Sequence, residues 1–262
     1  MSLQGHKKRV LVAILILPIL LFIIIKLPSY FFLILLCLAA GIGIWEFLKM
    51  YKVSKFFILL GVSLSVVFLL LNCFYWQLAF YYYSIFFIFI SLLRLLSKRN
   101  PNFALVEISP LVIGILYIPT LLSFHWFIRL ESWHWIIYLY SCIWCSDTAA
   151  YYIGKIFGKR KLYPEISPKK TWEGVYGSLA GGVIASVTLG KFLISKSFLT
   201  LFTIGILLGI TSVFGDLVES MFKRDAGVKD SGILFSEHGG ILDKIDAMLF
   251  GGVVLYFIIK II

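Results

Sequence analysis

The sequence predicts an all-α, polytopic integral membrane protein with about nine transmembrane helices and a cytoplasmic N-terminus. Three features carry that expectation. The 262 residues are 61% hydrophobic and only 14% charged, whereas soluble domains sit near half apolar and a quarter charged. The apolar residues gather into nine runs, each close to the roughly 20 residues that cross a hydrocarbon core. The basic residues fall in short clusters between those runs, dense in every second loop and sparse in the others.

The first run, Val10 to Ile25, follows the cluster Lys7, Lys8, Arg9 and lacks the small-residue cleavage site of a signal peptide, so a retained helix is expected. Further runs cover about 29–45, 56–74, 77–93, 104–124, 133–154, 174–195, 198–215 and 240–259. Pro18, Pro110 and Pro119 interrupt them, which a membrane helix tolerates where neighbours satisfy the freed carbonyls. Trp45, Trp76, Trp126, Trp133 and Trp135 lie near run ends, as an interfacial aromatic belt requires. Cys37, Cys73, Cys142 and Cys145 sit in or beside apolar runs, which excludes a secreted disulfide framework. Cys142-x-x-Cys145 has no second pair and no His cluster, so it reads as two small apolar fillers on one helix face. Gly177-x-x-x-Gly181 and Gly205-x-x-x-Gly209 let helices approach closely, either within one subunit or, as the sharper alternative, across a homodimer face.

Charge sets the orientation. With the N-terminus inside and nine crossings, the cytoplasmic loops collect 19 of the 24 Lys and Arg residues and the opposite loops 5, as the positive-inside rule demands. One span more or fewer would scramble the later clusters. The net charge of +11 does not point to nucleic acid, because the basic residues are spread over several loops instead of forming one solvated face. The expected partner is the lipid bilayer. Ten of the thirteen acids lie from Asp147 onward. The chain therefore reads as one domain, 1–262, with 1–132 mainly membrane scaffold and 133–262 the catalytic part.

Two cytoplasmic loops concentrate the polar residues. The first contains Ser146-Asp147-Thr148-Ala149-Ala150-Tyr151, the basic and glycine-rich stretch 154–161, and Ser167-Pro168-Lys169-Lys170-Thr171-Trp172-Glu173-Gly174. Its lysines and glycines suit a polyphosphate, since ammonium groups neutralise oxygens and glycines admit backbone N–H groups. The plainer alternative is a basic loop against anionic headgroups, but that would not require the interleaved Asp, Ser, Thr and Trp. The second loop runs from Gly215 to Asp246. Asp216 with Glu219, and Asp243 with Asp246, are each three apart, so each pair shares a helix face. Carboxylates at a membrane edge without a zinc-type Cys/His spacing suit Mg²⁺, while salt bridges to Lys223, Arg224 and Lys244 are the structural alternative. His238-Gly239-Gly240 precedes the last helix, where free N–H groups could cradle an anion.

The run Ser220-x-x-Lys223-Arg224-x-x-x-x-Lys229-Asp230-x-Gly232, continued by His238-Gly239-Gly240-x-x-Asp243-x-x-Asp246, resembles the signature of the phosphatidate cytidylyltransferases, or CDP-diacylglycerol synthases. The two motifs of the first loop are similar to that family as well, so the resemblance covers roughly residues 140–250. One departure is Lys244, where the family usually carries Arg between the last two aspartates; a forked phosphate contact becomes a point-charge contact. The resemblance implies that CTP and phosphatidate give CDP-diacylglycerol and pyrophosphate at the cytoplasmic face of a bacterial inner membrane. It implies Mg²⁺ held by Asp216, Asp243 and Asp246, with a monovalent cation such as K⁺ left open. Lys223, Arg224, Lys229, Lys169 and Lys170 would contact phosphates, and Asp147, Ser220, Asp230, His238, Gly239, Gly240 and Lys244 complete the substrate-binding set.

Three other classes compete, one of them a purely structural membrane protein, which would not need two polar loops rich in acids as well as bases. A CTP-dependent kinase of a membrane lipid alcohol would release CDP and no pyrophosphate. A transporter would carry charges at span centres and paired half-repeats, whereas the charges here gather at span ends on one face.

Overall fold

The computed structural model describes residues 17–98, 100–232 and 239–262. Each of the nine apolar runs is helical where it is described. The helices are α1 (Leu17–Lys26), α2 (Ser29–Met50), α3 (Lys55–Tyr75), α4 (Ala79–Ser97), α5 (Ala104–Tyr117), α6 (Pro119–Glu131), α7 (Trp133–Phe157), α8 (Trp172–Leu193), α9 (Phe198–Asp225) and α10 (Leu242–Ile261). Among the described residues, five stretches are long and apolar enough to cross a membrane: α2, α3 running through a single 3₁₀ turn into α4, α5 with α6, α8, and α9. The molecule is thus an all-α protein with membrane-spanning helices.

Two features depart from the sequence expectation. The run at 104–124 is split: Pro119 has no N–H to continue the ladder, so α5 stops at Tyr117, Ile118 donates to the Gly114 carbonyl, and α6 starts on Pro119 and extends to Glu131. The basic loop between α7 and α8 is not irregular but folds as an antiparallel hairpin, β1 (Lys161–Tyr163) with β2 (Ser167–Thr171). Thr171 ends β2 and caps α8, its hydroxyl accepting from the Gly174 N–H at 3.1 Å. Glu173 folds back to accept from the Lys159 and Arg160 N–H groups, tying the hairpin base to the start of α8.

α7, α8 and α9 pack consecutively, and α10 lies against α9, α6 and α7. The two small-residue spacings are used inside the chain. Gly181 faces the Cys145 carbonyl of α7, and Gly209 faces Ser178 and Leu179 of α8; a Cβ at either would meet backbone at 2.7 to 3.0 Å. Cys142 is buried but Cys145 is exposed, so the pair does not fill one face in common. Gly215 has the same role for the site: a Cβ there would meet Asp246 O at 2.7 Å, so its absence lets the first turns of α10 approach α9 beside Asp216.

Candidate active site

The C-terminal parts of α7 and α9, the N-terminal turns of α10 and the β-hairpin surround a cavity of about 670 Å³, whose lining includes Asp147, Lys155, Lys161, Lys169, Lys170, Ser212, Asp216, Asp243 and Asp246. At its floor, one carboxylate oxygen from each of Asp216, Glu219 and Asp246 lies within 4.8 Å of the others. Asp216 and Glu219 come from successive turns of α9, and Asp246 from the second turn of α10. Glu219 is 1% exposed, and its Oε1 has no hydrogen-bond partner among the described residues.

Lys223 sits beneath this group, buried at the end of α9. Its ammonium bonds Glu219 one turn back and Asp243 Oδ1 at 2.6 Å. Asp243 is not a member of this close group. Its Oδ2 accepts the Gly240 N–H at 2.8 Å, the Ser231 N–H at 3.0 Å and the Ser231 hydroxyl at 2.7 Å. The carboxylates that come together thus differ from the expected trio Asp216, Asp243 and Asp246: Glu219 stands with Asp216 and Asp246, and Asp243 holds Lys223 and the start of its own helix.

The glycine cradle is corrected as well. The Gly240 N–H is given to Asp243, and the next two N–H groups, Ile241 and Leu242, are accepted by Glu46 at 3.1 and 3.0 Å. The anion at this helix N-terminus is thus a side chain of α2, fully buried. Gly239 has a positive φ of 79°, which a residue with Cβ adopts only under strain. His238 lies outside the described residues.

The remaining expected residues divide. Lys170 reaches down from β2 to Asp216 at 2.9 Å, and Asp147 accepts from the Ser212 hydroxyl across α7 and α9. Ser220 donates to Asp216 Oδ1 at 3.0 Å. Lys169 lines the cavity. Arg224 instead bonds the carbonyls of Ile166 and Val228, bracing the hairpin against the end of α9. Lys229, Asp230 and Lys244 are exposed and do not line the cavity.

Sequence reasoning missed three residues of the amino-terminal half. Glu46 is one. Another is Tyr117 of α5, whose buried hydroxyl has no partner among the described residues. Its ring packs 5.5 Å from Phe222 and 6.3 Å from Phe250, each one turn past an acid of the group. The third is Tyr51, just beyond α2, which donates to Asp225 at 2.9 Å; burial and then that carboxylate push its hydroxyl well above the ordinary phenol range. The groups they meet are far off in sequence, 195 residues away for Glu46 and 174 for Tyr51.

Residues 7–262 match the cytidylyltransferase family. The chain belongs to that family. It is 34% identical to the phosphatidate cytidylyltransferase of Bacillus subtilis, over 97% of each chain. It is also 48% identical to phosphatidate cytidylyltransferase 5, chloroplastic, of Arabidopsis thaliana over 44% of this chain and 29% of that one. With the phosphatidate cytidylyltransferase of Synechocystis sp. the identity is 45%, over 45% of this chain and 41% of the relative. The cavity between hairpin and acids has cationic side chains on one wall and carboxylates on its floor.

Proposed function

We propose that this protein transfers the cytidylyl group of CTP to phosphatidate, giving CDP-diacylglycerol and pyrophosphate. The observation that carries the reading is the group Asp216, Glu219 and Asp246, the last two buried, opening on a lysine-lined cavity at the helix ends. The donor set fits a hard divalent cation: three carboxylates, no Cys or His, and one buried oxygen without a partner. Asp216, Glu219 and Asp246 would hold Mg²⁺. The chemistry it supplies there is charge neutralisation on phosphate oxygens.

The chain's own residues account for the rest. The nucleophile is the phosphate monoester oxygen of phosphatidate, largely ionised at neutral pH, so little base catalysis is needed. A bond forms from that oxygen to the α-phosphorus of CTP as the α–β bridging bond breaks and pyrophosphate leaves. The barrier is the approach of one anion to another. Lys155, Lys161, Lys169 and Lys170 line the cavity, where fixed positive charge lowers that barrier without reorganisation. Lys170, paired with Asp216, links the acid floor to the lysine wall. Incubated with CTP, phosphatidate and Mg²⁺, the purified protein should form CDP-diacylglycerol and release one pyrophosphate per turnover. Appearance of CDP with a phosphorylated lipid alcohol would instead make it a kinase.

The same reading places nine spans in a bacterial inner membrane, with the N-terminus and the cavity facing the cytoplasm. Single cysteines near Lys52, Lys159 and Lys229, in a cysteine-free background, should be shielded from an impermeant thiol reagent in intact cells, and one near Arg129 should label. Labelling near Lys159 from outside would refute the cytoplasmic cavity.

A further inference from the structure

We infer that Glu46 is a positioning residue for the three-carboxylate group, acting through the first turn of α10; this rests on the proposed cation site. Glu46 is on α2, the amino-terminal half, and is fully buried. Each carboxylate oxygen accepts one backbone N–H of the start of α10, Oε1 from Ile241 and Oε2 from Leu242. These are N–H groups that a helix cannot satisfy internally, and an anionic acceptor at this end also faces the positive pole of the helix dipole. Leu242 and Asp246 are four residues apart, so the N–H anchored by Glu46 lies one helical turn, about 5.4 Å, from the residue that completes the acid group. The anchor sets how far α10 advances toward α9 and how it is rotated, and hence where the Asp246 carboxylate stands relative to Asp216 and Glu219.

The surroundings are shaped to hold this one carboxylate. The Ser231 hydroxyl stands 3.3 Å from Glu46 Oε2 and 2.7 Å from Asp243 Oδ2; its single proton serves the nearer Asp243. Gly232 and Gly240 press on the carboxylate so closely that a Cβ at Gly232 would lie 2.8 Å from Glu46 Cδ. Among the described residues no lysine pairs with Glu46: Lys223 pairs with Glu219 and Asp243, and the short contacts to Glu46 come from backbone donors. Glutamine has nearly the same volume but turns an amide NH₂ toward one of two N–H donors, leaving a donor facing a donor.

The test is Mn²⁺ binding to the purified protein in detergent, followed by the loss of the free-ion electron-spin signal, which needs no turnover. Residues that orient metal ligands without touching the metal typically cost about 10- to 100-fold in affinity when changed. Glu46→Gln is expected to weaken Mn²⁺ binding by about 10-fold or more on that scale, with Glu46→Asp recovering part of the loss. Gly232→Ala, which keeps every polar group and displaces the carboxylate, should weaken binding in the same direction. Melting temperatures without cation identify the folded fraction, so that affinity is compared on folded protein. Parental affinity in folded Glu46→Gln, or in both Glu46→Gln and Gly232→Ala, would overturn the positioning role and leave the cation site standing. Failure of the parent protein to bind Mn²⁺ at all would overturn the cation site itself.

Discussion

Asp246→Asn should lower turnover by at least roughly a hundredfold, the scale on which loss of a preorganised charge-stabilising group is felt. The substitution keeps size and one oxygen but removes a charge from three carboxylates whose oxygens lie within 4.8 Å of one another. Its effect on stability should have the opposite sign. Without a cation, like charges this close repel, so Asn relieves the folded state, and melting in the presence of a chelator should occur at the parental temperature or above it. Added Mg²⁺ should then raise the parental melting temperature more than that of the variant, because only a bound species stabilises by mass action. Near-parental turnover with an unchanged response to Mg²⁺ would remove Asp246 from the site.

Lys223→Ala should be damaging in a different manner. Lys223 is 8% exposed and is the shared cation of Glu219 and Asp243. Removing one member of a buried ion pair leaves the others uncompensated, at about 3–5 kcal/mol. Both melting temperature and turnover should fall, and Asp243, freed of its partner, should no longer fix the start of α10. Lys52→Ala removes one positive charge from an exposed position after α2 and should leave both quantities close to parental. Equal, mild effects of the two substitutions would reduce Lys223 to a topology anchor.

Much of this arrangement is legible in the sequence, for physical reasons that also mark the limits. Apolar runs of span length must satisfy their backbone internally, so the helices coincide with the runs. Asp216 and Asp246 are found because carboxylates at a membrane edge are costly without a use. Asp243 misleads because spacing fixes the face of a helix but not which donors a side chain meets. At the first turn its carboxylate is captured by the Gly240 N–H three residues back, as in a capping box, and by Ser231. Arg224 misleads similarly: its fork is taken by two backbone carbonyls, one in the hairpin turn and one just past α9, and the hairpin is too short to show an alternating pattern. Glu46 was out of reach of any local argument. A single acid near the end of an apolar run reads as a surface charge until the tertiary partner 195 residues away is known.

That separation has a consequence for biosynthesis. At roughly 5–20 residues per second, about 10–40 s elapse between synthesis of Glu46 and of the backbone N–H groups it accepts. For that time α2 is made while its buried carboxylate has none of its α10 donors. The acid floor likewise exists only once Asp246, on the last helix, has been delivered and turned against α9. The chain therefore cannot acquire a working centre piece by piece as it leaves the ribosome. Completion of the site is a closing event that awaits α10, and a nascent protein arrested before that helix would be chemically inert.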